Sequence, residues 1–169
     1  MKIVACGGRG DTYNAFKTQH AASKGEFVGL LVDSEERVVD VNRPWAHLAS
    51  QPKDKWDKPK TATDDQVFLM TTCMETWIVA DRETLRKHYG SRLNEKALPA
   101  AHNLETKDRH VVQDDLVKAT KDCTNAYSKG KRSFEVLEKL DPKALTALPS
   151  FQRMVRILNE KLSPYTEIR

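Results

Sequence analysis

Two short apolar runs, each cut off by glycine or by acid and lying within about thirty residues of each other, constrain this chain more than any other feature. The first, Lys2–Cys6, stops at Gly7-Gly8, and the second, Glu26–Val32, stops at Asp33-Ser34-Glu35. Both have the look of buried strands. Between them Asp11-Thr12 can cap a helix that reaches about Ser23, with Tyr13, Phe16 and Ala21-Ala22 at roughly helical spacing and Gly25 following as a C-terminal glycine. Strand, helix and strand in so short a span form a right-handed crossover, which makes the two strands parallel. They then end at one edge of the sheet, and in open α/β sheets that edge is where ligands bind.

The rest of the chain fits an α/β fold. Asn42–Ala49 allows one or two helical turns, and Ser50–Asp64, polar and without periodicity, reads as a mobile surface loop. Gln66–Thr72 is a third strand running into Cys73–His88, an amphipathic helix with a kink. From Asn94 onward the pattern is mainly helical: Asp114–Asp122, Arg132–Leu140, a restart at Asp141-Pro142, and Pro149–Leu162. The expectation is a single domain with a small, mainly parallel sheet flanked by helices in residues 1–93 and a mainly helical part in 94–169. Trp45, Trp77, Phe134 and Phe151 should lie in or near its core, as should Cys6 and Cys73. At 169 residues the chain has the size of one ordinary domain. It has no run of the roughly 20 apolar residues a membrane span needs. Its first apolar run ends too soon for a signal peptide. Three cysteines without a CxxC pair argue against a disulfide framework or a zinc site. A cytoplasmic location is expected.

The acids at the strand edge are the chemically informative residues. Asp33 and Glu35, one residue apart, point to the same side if the chain stays extended, and so can share a cation. Asp11 follows the first strand at the same edge, Glu75 follows the third, and Asp64-Asp65 precede it. Carboxylates gathered this way repel unless a cation neutralises them, and oxygen-only ligands suit Mg2+ or Mn2+. Such a site supports phosphoryl transfer or phosphodiester hydrolysis. The other reading is that Asp33 and Ser34 cap the next helix and that Glu35-Glu36 are solvated.

The net charge is +4, with the positive excess after residue 36. Gly7-Gly8-Arg9-Gly10 lacks a GK[ST] continuation and the dinucleotide spacing, so it reads as a tight turn in which Arg9 can reach a phosphate. Lys129-Gly130-Lys131-Arg132 is either a phosphate contact or an ordinary helix entry. Aromatic residues are sparse among the basic clusters, Trp56 and Phe134 apart, which argues against a purely nucleic-acid-binding module. The five histidines have no metal-ligand spacing; His88 or His110 could act as a general base, but each reads better as a surface residue. The absence of GxSxG argues against a serine hydrolase.

The segments VACGGRGDTYNAFK, LLVDSE, TDDQVFLMTTCMETWIVAD and YSKGKRSFEVLEKLDP together resemble the domain-of-unknown-function 4276 family. That family is similar to Toprim domains, the metal-dependent fold of topoisomerases, primases and related nucleases. Toprim domains hold Mg2+ with a glutamate after the first strand and an Asp-x-Asp pair after a later one. Asp33-Ser34-Glu35 matches the pair with Glu in the second place, while Gly7 stands where the first glutamate would be and Asp11 can stand for a further acid. Met74-Glu75-Thr76-Trp77 resembles a Phe-Glu-x-Trp segment of Toprim-like defence proteins, and Glu75 is the candidate for the missing carboxylate. The resemblance implies a Mg2+- or Mn2+-dependent nuclease acting on DNA or tRNA beside an ATPase partner in prokaryotic phage defence. Asp33, Glu35 and Glu75 would be its metal ligands and Asp11 a further catalytic acid. Arg9, Lys129, Lys131 and Arg132 would grip nucleic acid. With Gly7 in the glutamate position, the alternative is a non-catalytic regulatory subunit of that ATPase.

Overall fold

The computed structural model describes residues 2–162. Seven α-helices and two strands follow in the order α1 (Arg9–Ala22), β1 (Leu30–Asp33), α2 (Pro44–Ser50), β2 (Val67–Met70), α3 (Met74–Ala80), α4 (Arg82–Tyr89), α5 (Arg109–Thr120), α6 (Lys131–Leu137) and α7 (Pro149–Leu162), with short 3-10 turns between them. The strands pair in parallel, Leu30 opposite Val67 and Asp33 opposite Met70. β2 is apolar residue after residue because it is covered on both faces, as parallel strands are. The molecule is therefore α/β, a small parallel sheet with α1 packed on β1 and α2 and α7 on β2. None of its described helices is long and apolar enough to cross a membrane.

The parallel pair joins the second and third expected strands, not the first and second. Lys2–Cys6 is no strand: among the described residues nothing ladders onto it, Ile3 is 82% exposed and Val4 61%, and Cys6 is only half-buried. An apolar run states a preference for burial, but a strand exists only where a neighbour supplies the hydrogen bonds, and the one described ladder joins β1 to β2 and does not include this run.

Two apolar clusters fill the interior. One gathers Tyr13, Phe16, Leu30, Val32, Trp45, Leu48, Trp56, Val67 and Leu69 around the sheet. The other, among α3 to α7, contains Cys73, Trp77, Ile78, Leu85, Val112, Leu116, Val136 and Phe151. Phe134, expected in the core, is 61% exposed on α6. The segment 50–64 is no free loop either. Trp56 is buried and stacks on Tyr13, ring centroids 4.5 Å apart, while the Tyr13 hydroxyl donates to the Asp57 carbonyl at 2.6 Å.

The kinked helix after β2 is two helices broken at Asp81. One Asp81 oxygen accepts the Thr84 N–H that α4 would otherwise leave unpaired, and the other accepts the Asp141 N–H. Asp64 likewise has a structural partner, accepting the Trp45 N–H at 3.0 Å. The Arg153 guanidinium, buried on α7, donates to the Val67 and Asp64 carbonyls and fastens that helix to β2.

Candidate functional site

The turn after β1 decides where the acids go. The ladder continues past the strands, with the Ser34 N–H donating to the Met70 carbonyl and the Glu35 N–H to the Thr72 carbonyl. Arg9 donates to the Asp33 carbonyl. His47 Nε2 lies 2.8 Å from the Ser34 carbonyl, to which it donates when it carries the ring proton. Four straps on three consecutive residues aim the Asp33 side chain into a cleft of about 320 Å3. Glu75, Lys129, Ser133, Phe134, Met70 and Met74 line the same cleft, together with Arg9 and Gly7. His47, which reads as a surface histidine in the sequence, is thus a positioning residue. Nothing in its spacing marks it, because its partner is a backbone carbonyl.

Asp33 and Glu75 face each other's fields. Asp33 Oδ1 is buried and has no hydrogen-bond partner among the described residues. Burial and then the charge of Glu75 push the Asp33 carboxyl up to about 6, against the opposing pull of Arg9, the Met74 amide and Lys129. Glu75 is buried on the first turn of α3, and burial pushes it up as well. Hydrogen bonds outweigh that: Tyr127 donates to Oε1 and Gln113 to Oε2 at 3.1 Å, and together with the backbone they hold Glu75 below the usual carboxylate range. Tyr127 in turn titrates above its ordinary value, through burial and Glu75. The cleft therefore contains one carboxyl held above the usual carboxylate range and one held below it.

Glu35 does not join them. It takes a left-handed conformation, φ 66°, so the chain is no longer extended and the one-residue spacing from Asp33 no longer keeps the two acids on one side. Its carboxylate pairs with Arg109 and lies 3.9 Å from Arg9. These groups, with Asp54, line a second cleft of about 310 Å3. Asp11 is exposed and accepts the Gly8 N–H at 3.1 Å. A Cβ at Gly7 would stand 2.8 Å from Asp11 Oδ2, so a larger residue there would have to displace the Asp11 side chain.

The basic residues divide in the same way. Arg9 is committed to the Asp33 carbonyl, to Asp54 and to the face of Trp56, 4.8 Å from its centroid. Arg132 donates to the Ala126 carbonyl at 2.7 Å. Lys129 and Lys131 are exposed and make no ion pair among the described residues, and Lys129 lines the cleft.

Among the described residues no three His, Cys, Asp or Glu gather into a metal cage. Mg2+ does not require one, since it keeps several waters and is commonly held through one or two carboxylates. Asp33, with its unpartnered buried oxygen, and the ionised Glu75 fit that demand.

The sequence profile of a domain of unknown function, DUF4276, matches residues 10–159, so the chain belongs to that family. No curated protein and no solved structure matches the chain.

Proposed function

We propose that this member of the DUF4276 family is a divalent-cation-dependent phosphodiesterase acting on nucleic acid, with Asp33 and Glu75 as its working carboxylates. The observation that carries the reading is the buried, unpartnered Asp33 Oδ1 beside an ionised Glu75 in a cleft that also offers Lys129. An anion-rich pocket next to a free ammonium group suits a cation and a phosphodiester together better than either alone.

A Mg2+ or Mn2+ ion held by Asp33 and Glu75 supplies Lewis-acid polarisation of a phosphoryl oxygen and a more acidic bound water. The chain's own residues do the remainder. Tyr127 and Gln113 hold Glu75 in one orientation and keep it ionised. Arg9 and His47 hold the backbone that aims Asp33. Lys129 meets the phosphate, with Lys131 available to a neighbouring one, and affinity for the polyanion should fall steeply with salt.

Gly7 favours a second reading, a regulatory subunit working beside an ATPase partner with an incomplete metal site. One experiment separates the two: titration calorimetry of Mn2+ into chelator-stripped protein, with Asp33→Asn alongside, followed by cleavage assays on DNA and tRNA. Saturable binding lost in the variant, with Mg2+-dependent cleavage, is the expected result. Absence of binding to the wild type would remove the phosphodiesterase reading and leave co-purification with an ATPase as the next question.

A further inference from the structure

We propose that Phe134 is a stacking platform for an unpaired nucleobase, so that the cleft takes a single-stranded segment and not a duplex. The inference takes only its substrate class from the phosphodiesterase reading. Phe134 is the odd one out among the aromatic residues described. Phe16, Phe68, Phe151, the three tryptophans and Tyr13, Tyr89 and Tyr127 are all buried and Phe27 is half-buried, whereas Phe134 is 61% exposed. Leaving a phenylalanine in water forfeits the gain of burying its ring. It does so at the wall of the cleft that holds Asp33 and Glu75, and Met70 and Met74 extend its apolar side.

The segment carrying Phe134 also presents the phosphate contact. Gly130 takes φ 97°, a conformation that favours glycine, and it starts α6 so that Lys129 and Phe134 reach the same cleft. Arg132 does not compete for the ligand, because it ties this segment back to Ala126. An aromatic face, thioethers and an ammonium group on one wall match the three parts of a nucleotide unit: flat apolar base, sugar and anion. In a duplex the base faces are already stacked on one another, so only an unpaired or extruded base can lie on Phe134.

The closing experiment is a two-by-two comparison in EDTA, which keeps binding apart from any cleavage. A fluorescein-labelled 12-nucleotide oligothymidylate and an abasic strand of equal length are each titrated with wild type and with Phe134→Ala, by anisotropy. The expected result is a loss of about tenfold or more for Phe134→Ala on oligothymidylate and no change on the abasic strand, with Phe134→Trp restoring the affinity. Phe134 is exposed, so an unchanged melting temperature is expected in both variants. Equal affinity of Phe134→Ala and wild type, an equal loss on both strands, or tighter wild-type binding to a duplex would each overturn the proposal. So would a change in sedimentation mass without a change in affinity, which would assign Phe134 to contact with a second copy. The two readings fail separately: base-coupled binding without Mn2+ binding or cleavage removes the phosphodiesterase alone, and cleavage without coupling removes the stacking platform alone.

Discussion

The two clefts beside the turn after β1 are nearly equal in volume, about 320 and 310 Å3, and they use their charges in opposite ways. In the second, Glu35 meets Arg109 and Arg9, and Asp54 meets Arg9, so each of these charges has a partner. In the first, Asp33 and Glu75 face a common space with one exposed lysine, and an oxygen of Asp33 has no partner among the described residues. Two acids one residue apart thus end in different chemistry. A carboxylate already neutralised by arginine belongs to the fold's own ion pairs, while one left short of positive charge is the candidate on which the proposed function rests.

Four changes would break or sharpen that contrast. The largest effect is expected at Asp33. Asp33→Asn should abolish saturable Mn2+ binding and lower cleavage by at least about a hundredfold, while the protein melts no lower than wild type. Arg9 comes next, since it serves the Asp33 carbonyl, Asp54 and Trp56 at once. Arg9→Ala should lose about 2–3 kcal/mol in urea unfolding, and Arg9→Lys should recover less than half, because one ammonium cannot replace a planar fork.

Glu105 is the control for a raised carboxyl away from either cleft. It is buried, accepts the Ser150 N–H and hydroxyl at the start of α7, and burial pushes it up to about 7. A carboxyl raised from its model-compound value of 4.5 contributes stability that is complete below that value and is lost as pH rises through about 7. Urea unfolding should therefore show stability falling over that window by about 2–3 kcal/mol, and Glu105→Gln should flatten the fall. If Glu105→Gln instead weakened Mn2+ binding, the distinction between an isolated buried acid and a site would be lost. The smallest effect belongs to Glu35. Glu35→Gln should lower stability by about 1 kcal/mol in a salt-sensitive way and leave Mn2+ affinity unchanged, and a lost metal site would show that the two clefts act as one.

Much of the fold was legible where the signal is local. Pro149–Leu162 is a helix over the expected span because proline opens it and its apolar residues recur with helical period. The continuous apolar run of β2 gave its buried strand for the same kind of reason. The failures are non-local. Lys2–Cys6 needed a neighbouring strand to ladder onto and pairs with none among the described residues, and the break at Asp81 depends in part on the amide of Asp141, distant in the chain. The loop 50–64 looked free because Trp56 finds its place only against Tyr13 and Arg9. Phe134 looked like core because an apolar side chain on a helix usually is, and its exposure follows from the way α6 meets the cleft.

For the candidate site the division is similar. That acids close β1 and follow β2 is a matter of apolar runs and their punctuation, and the sequence alone determines it, whereas the pairing that brings these two strand ends to one edge is decided by the fold. Which acid stays unneutralised is decided by Arg9, Arg109, Tyr127 and Gln113, residues scattered along the chain that only folding brings near. Charge pairing and burial act through space over a few ångströms, so no spacing along the chain could have separated Asp33 from Glu35.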